Sequence, residues 1–133
     1  SLNNLSYKYA ENPSSTTQQL QQEETLPPSE KKGNSLLLTL QGPAGPLQFT
    51  VHQPEFIIGK NGTQADGAMP FAPTVSRIHC KILQKPDGFV IEDLGSKNHT
   101  WVNGVQLIPG TQIMLRDGDM LQVAEYNFHV KIF

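Results

Sequence analysis

Three polar segments of this 133-residue chain, 59–74, 76–79 and 95–100, carry side chains of the types that bind a phosphate group. They offer Lys60 and Arg77 as cations, Ser76 and Thr100 as hydroxyls, and Asn98 as a planar amide. A phosphate monoester has about two negative charges and three strong acceptor oxygens, so it is bound by cations and hydrogen-bond donors. Charge-assisted hydrogen bonds from such groups are roughly twice as strong as neutral ones. The sequence predicts a phosphate-binding site if the fold brings the three segments together.

The residues around these segments predict a fold made of strands. From Ser35 onward, short apolar or alternating runs are separated by Gly, Pro, Asn and Asp, which favour turns. The runs are Leu36–Leu40, Leu47–Val51, Phe56–Ile58, Ile78–Leu83, Phe89–Glu92, Thr100–Val102, Val105–Leu107, Gln112–Leu115, Asp119–Val123 and Asn127–Ile132. Most have strand length and none has a convincing helical period, so we expect an all-β sandwich or barrel. Adjacent strands would gather the polar segments at one end of it.

The dipeptide Asn103-Gly104 is a sharp turn signal between two of these runs. It follows Trp101-Val102 and precedes Val105–Leu107. A two-residue Asn-Gly loop between apolar strands is typical of a type I′ turn. We therefore predict a β-hairpin here.

Residues 1–33 differ from residues 34–133 in composition. Ser, Thr, Gln, Glu and Pro dominate the first segment, and its few apolar residues are scattered. Such a segment cannot bury enough surface to offset the entropy of ordering, so we expect a disordered tail or linker followed by one folded domain. Thr16, Thr17 and Thr25 are candidate phosphorylation sites in it. The segment either links the domain to another one or, once phosphorylated, binds to its own domain or to a second copy.

The overall charge argues against two classes of partner. The chain has 10 basic and 12 acidic residues, a formal net charge of -2. Non-specific binding to nucleic acid needs a dominant basic surface, and a polybasic membrane anchor needs a cluster of Lys and Arg. We expect neither nucleic-acid binding nor membrane contact from this segment.

The remaining titratable residues favour a binding protein over an enzyme. Cys80 is the only cysteine and lies in an apolar alternation, which predicts a small buried side chain rather than a nucleophile. The absence of disulfides and of a visible signal peptide favours a cytoplasmic location. The four histidines lack metal-ligand spacing, so we expect no metal and no cofactor. Glu92-Asp93 ends a predicted strand, where a turn or surface position is expected.

Five short blocks, taken in order, resemble the successive signature blocks of forkhead-associated (FHA) domains. They are Gly59-Lys60, Ser76–His79, Ser96–Thr100, Val102–Gly104 and Leu115–Asp119. The resemblance covers about residues 35–133 and suggests a bacterial signalling protein. It implies an eleven-stranded sandwich of two twisted, mainly antiparallel sheets, whose loops at one end bind phosphothreonine peptides. The implied partners are a phosphothreonine-containing protein and the Ser/Thr kinase that modifies it.

The resemblance also implies a role for individual residues. Ser76 would donate its hydroxyl to the phosphate, and Lys60, Arg77 and Lys97 would supply positive charge. Asn98 would bind the main chain of the ligand. The residues implied to brace the loops are Gly59, His79, Thr100, Asn103 and Gly104.

Two residues depart from the family pattern. Lys60 stands where the family usually has Arg, which replaces a rigid bidentate fork with a point charge. His99 stands where the family usually has Gly, at a position that favours positive φ. These departures leave a phosphate-independent interaction or scaffold sandwich as the alternative function.

Overall fold

The computed structural model describes residues 33–43 and 46–133. The expectations for the tail, including Thr16, Thr17 and Thr25, fall on residues outside this part. The described residues form no helix and eleven strands: β1 (Leu36–Leu40), β2 (Gln48–Val51), β3 (Glu55–Gly59), β4 (Gly67–Ala68), β5 (Cys80–Lys85), β6 (Gly88–Asp93), β7 (Thr100–Val102), β8 (Val105–Gln106), β9 (Gln112–Leu115), β10 (Met120–Val123) and β11 (Tyr126–Ile132).

The strands confirm the all-β prediction and add one element to it. Each of the ten apolar runs corresponds to a strand, with ends that agree within two residues. The strand without a predicted counterpart is β4, which contains only Gly67 and Ala68. Two residues cannot show an alternating pattern, so this strand lay unrecognised inside a predicted loop.

The strands form two sheets, as the resemblance implied. The six-stranded sheet has the order β2-β1-β11-β10-β7-β8, and the five-stranded sheet has the order β4-β3-β5-β6-β9. All pairs are antiparallel except β3 with β4. In the part of the chain that the structure describes, no helix is long and apolar enough to cross a membrane.

The predicted hairpin is confirmed by its register and backbone angles. Val102 pairs with Val105, so Asn103 and Gly104 alone form the loop. Their φ angles are 51° and 81°, and a type I′ turn requires both to be positive. An Asn-Gly pair adopts these angles at low cost.

The core lies between the two sheets. It follows from strand alternation, because inward positions of β1 and β11 such as Leu38 and Val130 pair with each other and are fully buried. Ile82 and Ile91 do the same in the other sheet. Cys80 is buried, as its apolar surroundings predicted.

The register of three adjacent strands gathers the polar loops. Ile58 of β3 pairs with Cys80 of β5, and Cys80 pairs with Asp93 of β6. The end of β3, the start of β5 and the end of β6 therefore lie at the same end of the sheet. The loops that carry the predicted phosphate-binding residues extend from this end of the sandwich.

Gly59 allows two of these loops to approach each other. A Cβ atom at this position would collide with the backbone carbonyl of Arg77, and its distance to the carbonyl carbon would be 2.8 Å. The close approach accompanies a hydrogen bond of 3.2 Å from the Asn61 N–H to the Arg77 carbonyl oxygen. Only glycine fits here without displacing backbone.

We expect Gly59→Ala to destabilise the domain and Gly62→Ala to leave it nearly unchanged. The first substitution forces backbone apart and should cost about 1–3 kcal/mol of the free energy of unfolding. The second is a matched control, because a Cβ on Gly62 would meet only the Ala68 Cβ, at 4.0 Å. Urea denaturation of both variants measures the difference, and equal midpoints would contradict the close approach.

Candidate functional site

Ser76 joins the three loops at this end of the sandwich. Its carbonyl oxygen accepts a hydrogen bond of 2.9 Å from the N–H of Lys60. Its own N–H donates to Nδ1 of His79, at 3.1 Å. Its hydroxyl oxygen accepts a bond of 3.1 Å from the N–H of Lys97. Because Oγ accepts from Lys97, its position is fixed and its own proton can be donated to a ligand.

His79 holds the second and third loops together from beneath. Its ring is fully buried, and Nε2 lies 2.8 Å from the carbonyl oxygen of His99. Since Nδ1 accepts from the Ser76 N–H, the proton of the neutral ring must be on Nε2, where it is donated to His99. Burial lowers the pKa of His79 below its ordinary value of 6.5, although the His99 carbonyl and the charge of Asp93 act in the opposite direction.

Asp93 organises the third loop; of the turn or surface position predicted for it, the turn is found but the surface exposure is wrong. The side chain is only 1% exposed. Its Oδ1 accepts hydrogen bonds from the hydroxyls of Ser96, at 2.5 Å, and Thr100, at 2.6 Å. Its Oδ2 accepts from the N–H groups of Gly95 and Ser96, each at 3.0 Å. The carboxylate therefore fixes the conformation of the loop that carries Lys97, Asn98 and His99.

The hydrogen bonds explain how a buried carboxylate stays charged. Burial disfavours ionisation of Asp93, but the bonds from Ser96, Thr100 and Gly95 outweigh it and hold the pKa of Asp93 below its ordinary value of 3.8. Sequence reasoning missed Asp93 and Ser96. The sequence did contain a signal, because Asp93 lies two residues before Gly95 and three before Ser96. At this spacing an Asp side chain can accept hydrogen bonds from the following backbone N–H groups.

The predicted cations lie on the loops that meet at Ser76. Lys60 is half-buried, and Arg77 and Lys97 are exposed. Each belongs to a loop whose backbone is hydrogen-bonded at Ser76 or at its neighbour. The structure thus brings Lys60, Arg77 and Lys97 to the same end of the sandwich as the Ser76 hydroxyl.

Asn98 is half-buried and links the third loop to the first. Its Nδ2 donates a hydrogen bond of 2.8 Å to the carbonyl oxygen of Thr74. This contact orients the amide plane and leaves Oδ1 without a hydrogen bond from the described residues. A carbonyl oxygen of this kind can accept from a ligand N–H.

His99 keeps the backbone conformation that glycine would favour. Its φ is 69°, which for a residue with a Cβ costs on the order of 1 kcal/mol. Its carbonyl oxygen accepts from both the His79 ring and the N–H of Ala124, at 2.8 and 3.1 Å. Its exposed ring packs edge to face on Trp101, with centroids 5.9 Å apart. The two hydrogen bonds and the aromatic contact therefore stabilise this strained backbone conformation.

The Asn103-Gly104 turn lies away from these loops. The side chain of Asn103 donates to Asp119 and accepts from the N–H of Met120, both at 2.9 Å. Trp101 and Val102 of β7 lie between this turn and Thr100, which donates to Asp93. Asn103 thus connects the β7–β8 hairpin to β10, and among the described residues no hydrogen bond joins its side chain to the loops around Ser76.

The sequence and the fold both match known proteins. The FHA domain family matches residues 56–124, just over half of the chain. Protein FraH of Nostoc sp. is 41% identical over 59 residues, which are 44% of this chain and 20% of that protein. The chain therefore matches about a fifth of the length of this relative.

Two solved structures have a similar fold. The FHA domain of the CT664 protein from Chlamydia trachomatis has a TM-score of 0.66 at 26% identity, over 74% of this chain and 98% of that one. A chain from a structural study of phosphothreonine-dependent FHA domain interactions has a TM-score of 0.65 at 26% identity, over 74% of this chain and 97% of that one.

We expect the domain to lose stability as the pH falls below the ordinary pKa of His79. Because folding lowers the pKa of His79 below 6.5, the unfolded chain takes up a proton first on acidification. The contribution of His79 is complete above pH 6.5 and is lost as the pH falls through the lowered, folded-state pKa. The pKa of Asp93 is also lowered, but from 3.8, so its contribution begins to be lost only below about that pH.

Urea denaturation at a series of pH values, on the wild type and on His79→Gln, measures this effect. The variant leaves the Ser76 N–H without its acceptor and should cost about 1–3 kcal/mol at neutral pH. Its pH dependence should be flatter than that of the wild type. The exposed His129 is the control, because His129→Gln should keep the wild-type profile. Parallel profiles for the wild type and His79→Gln would contradict this account of His79.

Proposed function

This chain belongs to the FHA domain family, and we propose that its folded part, residues 34–133, is a phosphothreonine-peptide binding module that recruits a partner in Ser/Thr kinase signalling. The observation that carries the proposal is the Ser76 hydroxyl, which is fixed by the Lys97 N–H with its own proton free to be donated. Three cations in the surrounding loops support it. The similarity to a domain studied for phosphothreonine-dependent interactions supports it further.

The phosphate would be held by one hydroxyl and a group of positive charges. Ser76 donates to a phosphate oxygen, and Lys60, Arg77 and Lys97 balance a charge of about -2. Lysine at position 60 contributes attraction without the planar geometry of arginine. Most of the geometric selectivity therefore falls on Ser76, whose position is set by contacts with Lys60, His79 and Lys97.

Asn98 would bind the main chain of the peptide. Its Nδ2 is held by the Thr74 carbonyl, so the amide cannot rotate freely, and Oδ1 accepts a peptide N–H. A contact to main chain fixes the register of the ligand without reading its side chains. His79 and Thr100 brace the loops through buried hydrogen bonds, and Gly59 permits their close approach.

We propose a binding role without catalysis, in the cytoplasm. The titratable groups beneath the loops are engaged in structural hydrogen bonds, as His79 and Asp93 are. Burial, and next the charge of Asp93, raises the pKa of the Cys80 thiol, which keeps it a weak nucleophile.

A Ser/Thr kinase that modifies the ligand is the second proposed partner, besides the phosphothreonine-containing protein. Nucleic acid and membrane are not proposed partners, in keeping with the net charge of -2.

A phosphate-independent interaction remains the second candidate. Two observations favour it: Lys60 replaces arginine, and the exposed His99 ring occupies a place beside Asn98 where glycine would leave space. A titration with a phosphothreonine peptide and its unphosphorylated twin distinguishes the two functions. Equal affinities for both peptides would select the alternative.

We expect Ser76→Ala to weaken phosphopeptide binding by about 1.5–3 kcal/mol, the value of one hydrogen bond to a charged group. This corresponds to roughly a ten- to hundredfold rise in Kd. Isothermal titration calorimetry measures the change. Thr50→Ala removes an exposed hydroxyl from β2, outside the gathered loops, and should bind as the wild type does. Wild-type affinity in Ser76→Ala would remove Ser76 from the site.

We also propose that residues 1–33 are a tail or linker and that a phosphorylated threonine in them can occupy the site. A tethered ligand binds at high effective concentration. A semisynthetic chain with phosphothreonine at position 25 should therefore bind a free phosphopeptide more weakly than the Thr25→Ala chain does. Phosphothreonine at position 16 or 17 tests the other two candidates. If all chains bind the free peptide equally, the segment is a linker and the tail does not regulate the site.

A further inference from the structure

A groove of about 490 Å³ lies beside the turn between β10 and β11. Its lining residues are Gln41, Gly42, Pro43, Glu125, Tyr126 and Asn127. The volume is large enough for the side chain of a peptide residue. None of the roles assigned to Ser76, Asn98 or the three cations involves this groove.

An aromatic pair forms part of its surroundings. Phe71 is 50% exposed, although a phenylalanine usually buries most of its surface. Its ring packs edge to face on Tyr126, with centroids 5.9 Å apart and an interplanar angle of 90°. The pair offers an exposed aromatic surface next to the groove, which a ligand can cover.

The carboxylate of Glu125 lies at the rim of the same groove. Oε1 of the exposed Glu125 accepts a hydrogen bond of 3.2 Å from the Thr74 hydroxyl, so the side chain is held at the rim. Within residues 33–43 and 46–133, the one ion pair is Lys81 with Glu55, so no described cation neutralises Glu125. A carboxylate beside aromatic rings attracts Lys or Arg through an ion pair and through cation–π contact.

Thr74 connects this groove to the phosphate-binding loops. Its hydroxyl contacts Glu125, and its carbonyl oxygen accepts the hydrogen bond from Asn98. The turn is also joined to the third loop, because the N–H of Ala124 donates to His99. The rim of the groove at Glu125 is thus joined through Thr74 to Asn98, the residue proposed to bind the main chain of the peptide.

We propose that this groove is a second subsite that selects ligands with an Arg or Lys near the phosphothreonine. The inference rests on the proposed function and deepens it. The distribution of charge around the site supports a basic residue as the occupant of the groove. Lys60, Arg77 and Lys97 repel a basic side chain close to the phosphate, so such a residue is accepted only where Glu125 offsets them. The aromatic pair binds the alkyl stem and the flat guanidinium of Arg.

The test is a positional scan of phosphothreonine peptides. An alanine-flanked phosphopeptide gives the background affinity, and Arg is then placed at each flanking position in turn. At one position, Arg should tighten binding by about three- to tenfold, the range expected for an ion pair with a cation–π contact. Glu at that position should weaken binding.

Glu125→Gln is the matched variant, because a Gln oxygen can still accept the Thr74 hydroxyl. It should remove the preference for Arg and should not weaken binding of the alanine-flanked peptide, since it removes a negative charge near the phosphate. Glu125→Lys should reverse the preference toward Glu. Phe71→Leu, which keeps bulk and removes the aromatic ring, should reduce the gain from Arg. Thermal unfolding of each variant checks that it is folded.

The outcomes separate this inference from the function on which it rests. If the alanine-flanked phosphopeptide binds but Arg helps at no position, or helps Glu125→Gln equally, the basic subsite is wrong and phosphothreonine binding stands. If an apolar residue tightens binding where Arg does not, the groove is an apolar subsite and the charge argument fails. If no phosphothreonine peptide binds, the proposed function and the subsite are both wrong.

Discussion

The buried charge of Asp93 is the constraint on which the loops of the candidate site depend. An ionised carboxylate that is 1% exposed is costly unless it is surrounded by donors. Among the described residues, no Lys, Arg or His forms an ion pair with it. Its donors are two hydroxyls and two backbone N–H groups, all from residues 95–100. That loop must adopt one conformation for the charge to be tolerated, and the loop that results carries Lys97, Asn98 and His99.

From this loop, two contacts converge on Ser76. The N–H of Lys97 fixes the Ser76 hydroxyl, and the carbonyl oxygen of His99 fixes the His79 ring, which accepts from the Ser76 N–H. The position of the Ser76 hydroxyl, the proposed hydrogen-bond donor to the phosphate, is thus set by the Lys97 N–H and by the buried His79 ring. The exposed cations depend on this frame, because each is attached to a backbone that Ser76 or its neighbour holds.

Local patterns in the sequence predicted most of the fold. Strands such as Leu36–Leu40 were recognisable because alternation and turn residues are local, whereas the two residues of β4 show no pattern. The roles of Ser76 and Asn98 came from the order of several short blocks, since each block alone is an ordinary polar turn. Asp93 was misplaced because its burial arises when β6 pairs with β5 and β9, which its immediate neighbours do not reveal. The groove near Glu125 was also invisible in the sequence. Thr74 and Glu125 lie 51 residues apart and meet only in the folded chain.

The hydrogen bonds around Ser76 have a thermodynamic consequence for recognition. Each of them joins two groups of the protein, so none waits for a ligand in order to form. The entropy lost in ordering these loops is therefore lost during folding and not during association. What remains to be ordered on binding is mainly the peptide and the long side chains of the surface lysines and arginine. The stiffness of the peptide then contributes directly to affinity, and an already extended segment binds more tightly than a flexible segment with the same side chains.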